Sequence, residues 1–389
     1  MSARRVYLDN NATTALHPEV IQKLQELFPI FGNASSMHAF GREALKELDK
    51  ARESLARAIG AADPKEIVFT SGGSESDNLA IKGFAALNRN KGNHIITSAI
   101  EHPAVLNVCN YLQKKGFDVT FLPVDEYGLV DPKGFAEAIT PHTILATIML
   151  ANNEIGTIEP IAELAALAKK KNIVFHTDAV QAIGKIPVNV QELGVDMLSL
   201  SGHKFHGPKG VGALYIKKGI KLEPQIHGGH QENHLRSGTY NVPGIAGMAK
   251  ALEIAVQELP KMAAVKKLKD RLYQGLTARV PDIKLNGHPE RCLPNTLDVS
   301  FKYIEGEGIL LRLDYEGIAV STGSACTSGT LDPSHVLLAI GLPHEIAHGS
   351  IRFSLSTMTT AEEIDYTVDK VASVVKGLRE LSPLYNIKK

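Results

Sequence analysis

The chain has 389 residues, of which 44% are hydrophobic and 22% are charged, and its 42 basic residues (Lys and Arg) balance 42 acidic ones. This length exceeds what one hydrophobic core usually supports, so we expect two domains in a globular protein. The balanced charge argues against nucleic acid or an anionic membrane as the main partner. No stretch approaches the ~20 apolar residues that cross a bilayer, so we expect no association with a membrane.

The cysteines and the N-terminal residues indicate a compartment. Cys109, Cys292 and Cys326 are too few and too scattered for a disulfide framework. Residues 1–5 lead directly into a predicted strand at 6–9 without an apolar signal region. We therefore expect a protein of the reducing cytoplasm.

Short strands alternate with helices through the first two thirds of the chain. The sequence predicts a helix over 43–59, a strand over 66–70, a turn over 71–76 and a helix that carries 77–81. Strand and helix pairs follow at 93–98 and 104–115, 118–122 and 132–139, and 145–150 and 161–171, with further strands at 173–176 and 197–200. This alternation predicts a mostly parallel, helix-covered sheet, which binds ligands beyond the carboxyl ends of its strands.

The pattern changes after about residue 250. A long helical stretch over 250–280, interrupted at Pro260, precedes a second unit. That unit combines strands at 296–301, 318–321 and 350–355 with helices at 306–314, 333–340 and 360–381. We expect a large α/β domain of residues 15–258 and a smaller α+β domain formed by residues 1–14 and 259–389, with Cys326 on the smaller one.

A candidate reactive lysine, Lys204, follows the predicted strand at 197–200 in the segment Gly202-His203-Lys204. A lysine at the mouth of a buried strand is poorly solvated, which favours its neutral amine. A neutral amine is what a Schiff base with an aldehyde cofactor requires. The alternative is a solvated surface lysine, so the hypothesis depends on whether other residues could serve such a cofactor.

A candidate phosphate site lies in Ser71-Gly72-Gly73-Ser74, between a predicted strand and a predicted helix. Free backbone N–H groups, the helix dipole and two hydroxyls at such a turn suit a phosphate group. The alternative is a plain turn in which Ser74 caps the helix.

Asp178 and Gln181 follow another strand. A carboxylate there could keep the nitrogen of a pyridine ring protonated, which makes the ring an electron sink. Gln181, three residues further on, could reach a phenolic oxygen. The alternative is an aspartate that only caps a helix.

His102 and Asn153 also follow predicted strands. Pro103 suits the first turn of a helix, and an imidazole held before it can stack on a flat ring and move protons near neutral pH. Asn153 could donate an amide hydrogen bond. Each signal is weak alone, but an amine, a phosphate site, a carboxylate and a stacking ring together are what pyridoxal phosphate requires.

A second reactive group is Cys326, which lies among small residues in Gly323-Ser324-Ala325-Cys326-Thr327-Ser328-Gly329. Free cysteine is ordinarily buried, so its place in such a segment indicates a reactive thiolate. Cys109 and Cys292 are expected to be structural. Arg352, in the predicted strand at 350–355, could bind an amino-acid carboxylate through two hydrogen bonds, with a salt-bridged strand arginine as an equal alternative.

With these motifs in this order, the chain resembles the cysteine desulfurases of the NifS/IscS type, within the class V aminotransferases of fold-type I. The similarity runs nearly from end to end. It rests on residues 7–14, 70–78, 101–105, 152–154, 176–181, the Lys204 segment, 236–239 and 323–326. Residues 294–300 and 305–308 are more similar to the NifS branch than to the housekeeping branch.

The resemblance implies a fold, a cofactor and an activity. The fold would be α/β, that of a fold-type I pyridoxal-phosphate transferase, with a mostly parallel seven-stranded sheet in the large domain and a smaller α+β C-terminal domain. The enzyme would convert L-cysteine to L-alanine and pass the sulfur, as a persulfide on Cys326, to a scaffold protein for iron–sulfur cluster assembly. No resident metal site is implied, although Cys326 would contact a cluster transiently during transfer.

The resemblance also implies roles for individual residues. Lys204 would carry the cofactor as a Schiff base, Cys326 would take the sulfur, and Asn153 and Arg352 would bind the substrate carboxylate. The cofactor site would comprise Gly73, Ser74, His102, Asp178, Gln181, Ser201, His203 and Lys204, with Thr239 supplied by the partner subunit. That shared contact with the phosphate implies an obligate homodimer.

Two segments depart from the family pattern. Residues 228–234 read GGHQENH where relatives commonly have GGGQERG, so that Asn233 replaces an arginine, and Thr357-Met358 replaces a usual Arg-Phe. The first change bears on loop and dimer contacts, and neither falls on a residue with an implied chemical role.

Other functions remain open. An aminotransferase or a selenocysteine lyase could use the same scaffold, although an aminotransferase has no use for an exposed Cys326. A non-catalytic scaffold for iron–sulfur assembly would not bind pyridoxal phosphate. A Rossmann dehydrogenase is disfavoured because no G-x-G-x-x-G follows the first strand.

Overall fold

The structure, a computed structural model, describes residues 5–322 and 333–386. The predicted reactive cysteine, Cys326, lies outside the described residues. The first part of the chain contains β1 (Val6–Tyr7), α1 (Pro18–Leu27), α2 (Ala39–Ile59), β2 (Ile67–Thr70), α3 (Gly73–Asn88), β3 (His94–Ser98), α4 (Pro103–Lys114), β4 (Asp118–Leu122), α5 (Pro132–Ala138), β5 (Thr143–Thr147), α6 (Ile161–Lys170), β6 (Val174–Asp178), α7 (Val190–Leu193), β7 (Met197–Ser201) and β8 (Gly212–Ile216).

The second part is richer in helix. It contains α8 (Val242–Gln257), α9 (Met262–Arg279), β9 (Ile283–Asn286), β10 (Thr296–Phe301), α10 (Gly306–Tyr315), β11 (Ile318–Ala319), α11 (His335–Ala339), α12 (His344–Ala347), β12 (Ser350–Ser354), α13 (Ala361–Leu381) and α14 (Pro383–Asn386). No helix among the described residues is both long enough and apolar enough to cross a membrane.

Seven strands form the main sheet, in the order β2-β8-β7-β6-β5-β3-β4. The pairs from β7 to β4 are parallel, whereas β8 runs antiparallel to both of its neighbours. The short connection from β7 to β8 explains this exception, because a parallel return requires a crossover of a dozen residues or more. The predicted mostly parallel sheet of seven strands is confirmed.

Helices cover the main sheet, and its central strands are buried on both faces. All five residues of β5, β7 and β8 are buried. Strands buried on both faces read as continuous apolar runs, which is the pattern from which β5 and β7 were predicted. Helix α2 buries one stripe, including Leu48, Leu55 and Ile59, and ends at Gly60, whose φ of 73° is a left-handed conformation that glycine adopts without strain.

A second hydrophobic cluster surrounds a three-stranded antiparallel sheet of order β12-β10-β9. The short strand β1 pairs in parallel with β11, so that Val6 lies opposite Ile318. Val6 and Leu8 are buried in the same cluster as Phe301 and Phe353. The N-terminal residues therefore pack with the last part of the chain, while the division into domains at 15–258 stays a prediction.

Most predicted elements exist, with shifts at their ends. Helix α3 begins at Gly73, so the turn predicted over 71–76 is wrong beyond Gly72. The predicted long helix begins earlier, at Val242, and a 3-10 turn at Leu259–Lys261 separates its two parts. Elements without a sequence prediction include the helices α1, α12 and α14 and the strands β8, which does not alternate between apolar and polar residues, and β9, which has only four residues.

Gly212, the first residue of β8, lies between the carboxyl ends of β2 and β7. It pairs with Thr70 of β2 and Ser201 of β7, and a Cβ atom built on it would lie 2.7 Å from both the Gly72 Cα and the Leu200 carbonyl oxygen. We expect Gly212→Ala to destabilise the protein by roughly 1–3 kcal/mol because backbone on both sides must shift. Urea unfolding measures this change. Gly308→Ala in α10 is the control, since the nearest atom would be at an ordinary 3.6 Å; equal stabilities of the two variants would contradict the prediction.

Candidate active site

The carboxyl ends of neighbouring strands bring the predicted lysine to the N-terminal segment of the chain. After β7, a 3-10 turn over Gly202–Lys204 carries Lys204 out of the sheet. Its Nζ donates to the backbone carbonyl oxygens of Asn11 at 2.5 Å and Ala12 at 2.9 Å. The amine is therefore held in one position by two acceptors, in the polar turn that follows β1.

The predicted phosphate site is the start of α3. Gly72 is the N-cap, and no side chain caps the first turn. Ser74 lies inside that turn and is exposed, so the alternative in which Ser74 caps the helix is wrong. A Cβ atom on Gly73 would lie 2.8 Å from Val180 Cγ2, so only glycine lets this turn approach the end of β6 closely. Open N–H groups at a helix N-terminus suit an anion.

Asp178 and Gln181 lie at the end of β6, and both are buried. The Val180 amide donates to Asp178 Oδ1 at 2.9 Å, so the carboxyl also stabilises a local turn, as the capping alternative proposed. Burial raises the pKa of Asp178 to about 6, and the positive charge of Lys204 opposes this shift. Gln181 donates its Nε2 to the Asn11 carbonyl oxygen at 2.9 Å, which is the oxygen that also accepts from Lys204.

His102 is the N-cap of α4, and its Nδ1 accepts from the Ala104 amide at 3.1 Å. Burial lowers the pKa of His102 to about 4, and the charge of Lys204 adds to the shift. The ring is therefore neutral at pH 7 here, which does not fit the expectation that it titrates near neutrality. A neutral, half-buried imidazole keeps its capacity to stack on a flat ring.

Arg352 of β12 is 5% exposed and reaches across to the main sheet. It donates Nη1 to the Asn153 carbonyl oxygen and Nη2 to Asp9 Oδ1, both at 3.0 Å. The ion pair with Asp9 is the salt-bridged arrangement that the sequence left open. Its Nε is buried, however, and has no hydrogen-bond partner among the described residues, which leaves one donor for an anionic ligand.

Three further predicted residues differ in their surroundings. Ser201 is buried at the end of β7, and His203 lies beside Thr13, with 3.1 Å between Nδ1 and Oγ1. Burial lowers the pKa of His203 to about 4. Thr239 is exposed on the loop before α8, and its side chain makes no hydrogen bond within the described part of its own chain. The role of Thr239 in the site of a partner subunit stays a prediction.

Asn11 was not predicted as a site residue, although it contacts several residues that were. Its Nδ2 donates to the Asn153 carbonyl oxygen at 3.0 Å and to Thr296 Oγ1 at 2.9 Å, and its Oδ1 accepts from Asn295 at 3.0 Å. Its carbonyl oxygen accepts from Lys204 and Gln181. The polar run at 10–14 carried a signal, but it was used only for the family resemblance.

A layer of buried acids beneath the strand ends was also missed. Asp77 and Glu101 are fully buried, and His176, which bonds Thr147 and Ser199, lies 3.7 Å from Asp77. Burial and the charge of Asp178 raise the pKa of Asp77 well above its usual range. Burial raises the pKa of Glu101 to about 8, although its Oε1 accepts from Ser98 and Met149.

Neither the remaining cysteines nor the two departures hydrogen-bond a predicted site residue in the described part of the chain, although Thr357 lines the same cavity as Lys204. Burial raises the pKa of Cys109 to about 12, which suits the structural role expected of it. Cys292 is partly exposed, with its Sγ 3.0 Å from Lys269 Nζ. Asn233 is exposed in a left-handed turn, and Thr357 donates to Glu258.

The chain is similar to known proteins over most of its length. The chain matches the aminotransferase class-V family over residues 6–367. It is 56% identical over 382 residues to a cysteine desulfurase IscS of Dictyoglomus turgidum, covering 98% of this chain and 97% of that protein. It is 53% identical over 383 residues to a cysteine desulfurase IscS of Methanosarcina thermophila, covering 98% and 94%.

A solved structure described as a NifS-like protein is 44% identical and superposes with a TM-score of 0.91, covering 96% of this chain and all of its own. The chain belongs to the class-V aminotransferase family, and its fold is the expected fold-type I. Its resemblance to the cysteine desulfurases of the NifS/IscS type is confirmed. Enzymes of this class depend in general on pyridoxal phosphate.

The raised pKa of Glu101 predicts how the stability of the fold depends on pH. A carboxyl with a folded-state pKa of about 8 and an ordinary value of 4.5 stabilises the fold below pH 4.5 and loses that stabilisation as the pH rises toward 8. We expect Glu101→Gln to gain stability over the parent chain across this window, by on the order of a few kcal/mol. Urea unfolding at several pH values measures the difference, with Glu126→Gln, at an exposed position, as control. A difference that stays constant from pH 5 to 8 would refute the prediction.

Proposed function

We propose that this chain acts as a cysteine desulfurase: it removes sulfur from L-cysteine, releases L-alanine and passes the sulfur to an acceptor protein through Cys326. The observation that carries the proposal is the convergence of the Lys204 amine, the uncapped start of α3 and the buried Asp178 carboxyl at adjacent strand ends. The relatives named cysteine desulfurase, aligned over nearly the whole chain, support this choice.

The residues at the site fit pyridoxal phosphate. The start of α3 at Gly73 and Ser74 would bind the phosphate, because its N–H groups carry no side-chain cap and the backbone comes close to Val180. Ser201 and His203 would complete that site, joined by Thr239 of a second copy. Asp178 would face the ring nitrogen, Gln181 the phenolic oxygen, and His102 the ring face. When bound, the cofactor supplies an electron sink for negative charge that develops on the substrate Cα.

Each residue then has a physical task. Lys204 would hold the cofactor, and its free amine would take the substrate Cα proton as general base. A positive ring nitrogen near Asp178 would lower the pKa of that carboxyl from about 6 and keep it ionised. The neutral His102 adds no positive charge beside Lys204. Asn153 and the free Nε of Arg352 bind the substrate carboxylate.

The sulfur step belongs to Cys326. Its thiolate attacks the substrate sulfur, so that the substrate C–S bond breaks while an S–S bond forms. The electron pair of the broken bond stays with the carbon fragment, which takes up protons and leaves as L-alanine. The enzyme keeps a persulfide, and the thiol of the acceptor takes the outer sulfur from it. Atoms and electrons balance without an external oxidant.

A second copy of the chain is the proposed partner. Phe28, Phe31, Met37 and Phe40 form an exposed apolar surface between α1 and α2, with Met37 91% and Phe31 79% exposed. Contiguous apolar surface of this kind is typical of a protein interface. Thr239, exposed in one chain, would be buried at such an interface if it bound the phosphate of the partner subunit.

The acceptor would be a scaffold protein for iron–sulfur cluster assembly, and the compartment the reducing cytoplasm, where a persulfide survives without forming disulfides. The NifS branch stays the favoured one, on the residues at 294–300 and 305–308. A selenocysteine lyase would show a strong preference for selenocysteine, an aminotransferase would require a keto acid, and a non-catalytic scaffold would not bind the cofactor.

Two variants separate the roles of the amine and the thiol. We expect Cys326→Ala to bind pyridoxal phosphate with unchanged visible absorbance but to release no sulfide from L-cysteine, because only the sulfur acceptor is lost. Lys204→Ala should lose the stable visible band. Absorbance spectra and sulfide assays measure both. Desulfuration by Cys326→Ala at the original rate would show that another group is the nucleophile.

A further variant tests the substrate carboxylate site. We expect Arg352→Gln to raise the KM for L-cysteine at least about tenfold, because a charge-assisted bond worth roughly 1.5–3 kcal/mol is lost. The visible spectrum of the bound cofactor should not change. Steady-state kinetics measures the KM, and Arg271→Gln, at an exposed pair with Asp365, is the control. An unchanged KM would remove Arg352 from the site.

A further inference from the structure

A buried lysine that the proposed mechanism does not use lies next to the site. Lys185 is 7% exposed and stands four residues after Gln181, one turn further along the segment that follows β6. Its Nζ donates to Gln181 Oε1 at 2.6 Å and to Asn11 Oδ1 at 3.3 Å. Burying an amine is costly unless its hydrogen bonds are satisfied, so its place here calls for a physical reason.

We infer that Lys185 is a positioning residue that fixes the Gln181 amide so that its N–H₂ group, and not its oxygen, faces the reactive amine of Lys204. The inference rests on the proposed function, since it assigns a task to the Gln181 side chain within that cofactor site. It names a residue that acts through another and does not itself touch the reacting atoms.

The orientation of the amide follows from the hydrogen bonds. An amide group can rotate by 180° and exchange its oxygen and nitrogen, unless its neighbours distinguish the two. The Asn11 carbonyl oxygen can only accept, so it takes the Nε2 of Gln181, and Lys185 donates to Oε1 on the other side of the amide. The two contacts together permit one orientation, with the donor beside Lys204.

This orientation has a chemical consequence. Gln181 Nε2 and Lys204 Nζ donate to the same oxygen of Asn11, at 2.9 Å and 2.5 Å, so the two nitrogens are neighbours. In pyridoxal phosphate, the phenolic oxygen is adjacent to the carbon that binds the lysine nitrogen. An N–H of Gln181 beside Lys204 is therefore placed to donate to the ionised phenolic oxygen.

The buried amine of Lys185 has acceptors on two sides. Its Nζ donates to Gln181 Oε1 and to Asn11 Oδ1, which offsets the cost of burying it. Burial lowers the pKa of Lys185 well below its usual range, and the charges of Lys204 and Arg352 act in the same direction.

The test uses the full chain loaded with pyridoxal phosphate, as the parent and as Lys185→Met. Without Lys185 only the Asn11 carbonyl holds the amide of Gln181, so the amide loses its fixed position and its hydrogen bond to the ionised phenolic oxygen weakens. That oxygen becomes more basic, so the midpoint of the pH titration of the visible band should rise by about one unit. The kcat for L-cysteine should fall about tenfold, with KM changed less than about twofold.

Lys269→Met is the matched control. Lys269 is also buried, at 5% exposure, but its Nζ donates to Leu293 and contacts Cys292, away from Gln181. The Lys269→Met variant loses a buried lysine that does not contact Gln181, so the pH midpoint of its visible band should not move. If Lys185→Met does not fold, Lys185→Gln keeps an N–H donor one bond shorter and should shift the midpoint in the same direction, by less.

A double-mutant cycle with Gln181→Ala completes the test. In the Gln181→Ala background, replacing Lys185 should leave the midpoint unchanged, because the group through which it acts is gone. A folded, coloured Lys185→Met or Lys185→Gln with the parent's midpoint and kcat would overturn the inference, as would effects that add fully to those of Gln181→Ala. A colourless parent chain would instead refute the proposed function, so the two failures are distinguishable.

Discussion

The hydrogen bonds of Asn11 are the constraint on which the rest of the site depends. One buried side chain joins the N-terminal segment to Asn153 beside the main sheet and to Asn295 and Thr296 at the start of β10. Its carbonyl oxygen then accepts from Lys204 and Gln181. Because Asn11 and all of these partners except Lys204 are buried, breaking one of their contacts leaves a polar atom without water or a partner, which is costly. The arrangement is therefore cooperative.

Burial favours the neutral forms of several acids and histidines near Asn11. Acids such as Glu101 and Asp77 lie beneath the strand ends, where burial raises their pKa values and favours their neutral forms. The imidazoles of His102 and His203 are neutral for the same reason, with pKa values of about 4. Arg352 differs from these groups because it forms an ion pair with Asp9. A ligand with a carboxylate and a phosphate meets fixed donors with little competing charge.

Features set by residues close together in the sequence were predicted better than features set by residues far apart in it. The main sheet was predictable because buried parallel strands are continuous apolar runs, and Lys204, Asp178 and Gly73 were found because they follow such strands. Asn11 was not predicted because its contacts span long stretches of chain, 170 residues in the bond from Gln181. Lys185 was not predicted because, although Gln181 is only four residues away, nothing in the sequence shows that its amine is buried. The neutral state of His102 was missed for a similar reason, since burial by distant elements sets its pKa. The antiparallel β8 was not predicted, although its run GALYI is apolar and buried throughout.

The pairing of the first strand with the last ones bears on how the chain is made. Asn10 bonds Ser354 across 344 residues, and β1 completes its ladder only with β11. During synthesis on the ribosome, the N-terminal segment emerges first and must wait, unpaired, for nearly the whole polypeptide to follow. The acceptors that hold the reactive amine, in Asn11 and Ala12, belong to that waiting segment. A chain that stops before β12 lacks Arg352 and the Ser354 partners of Asn10 and Asn11, so it could not form the proposed site.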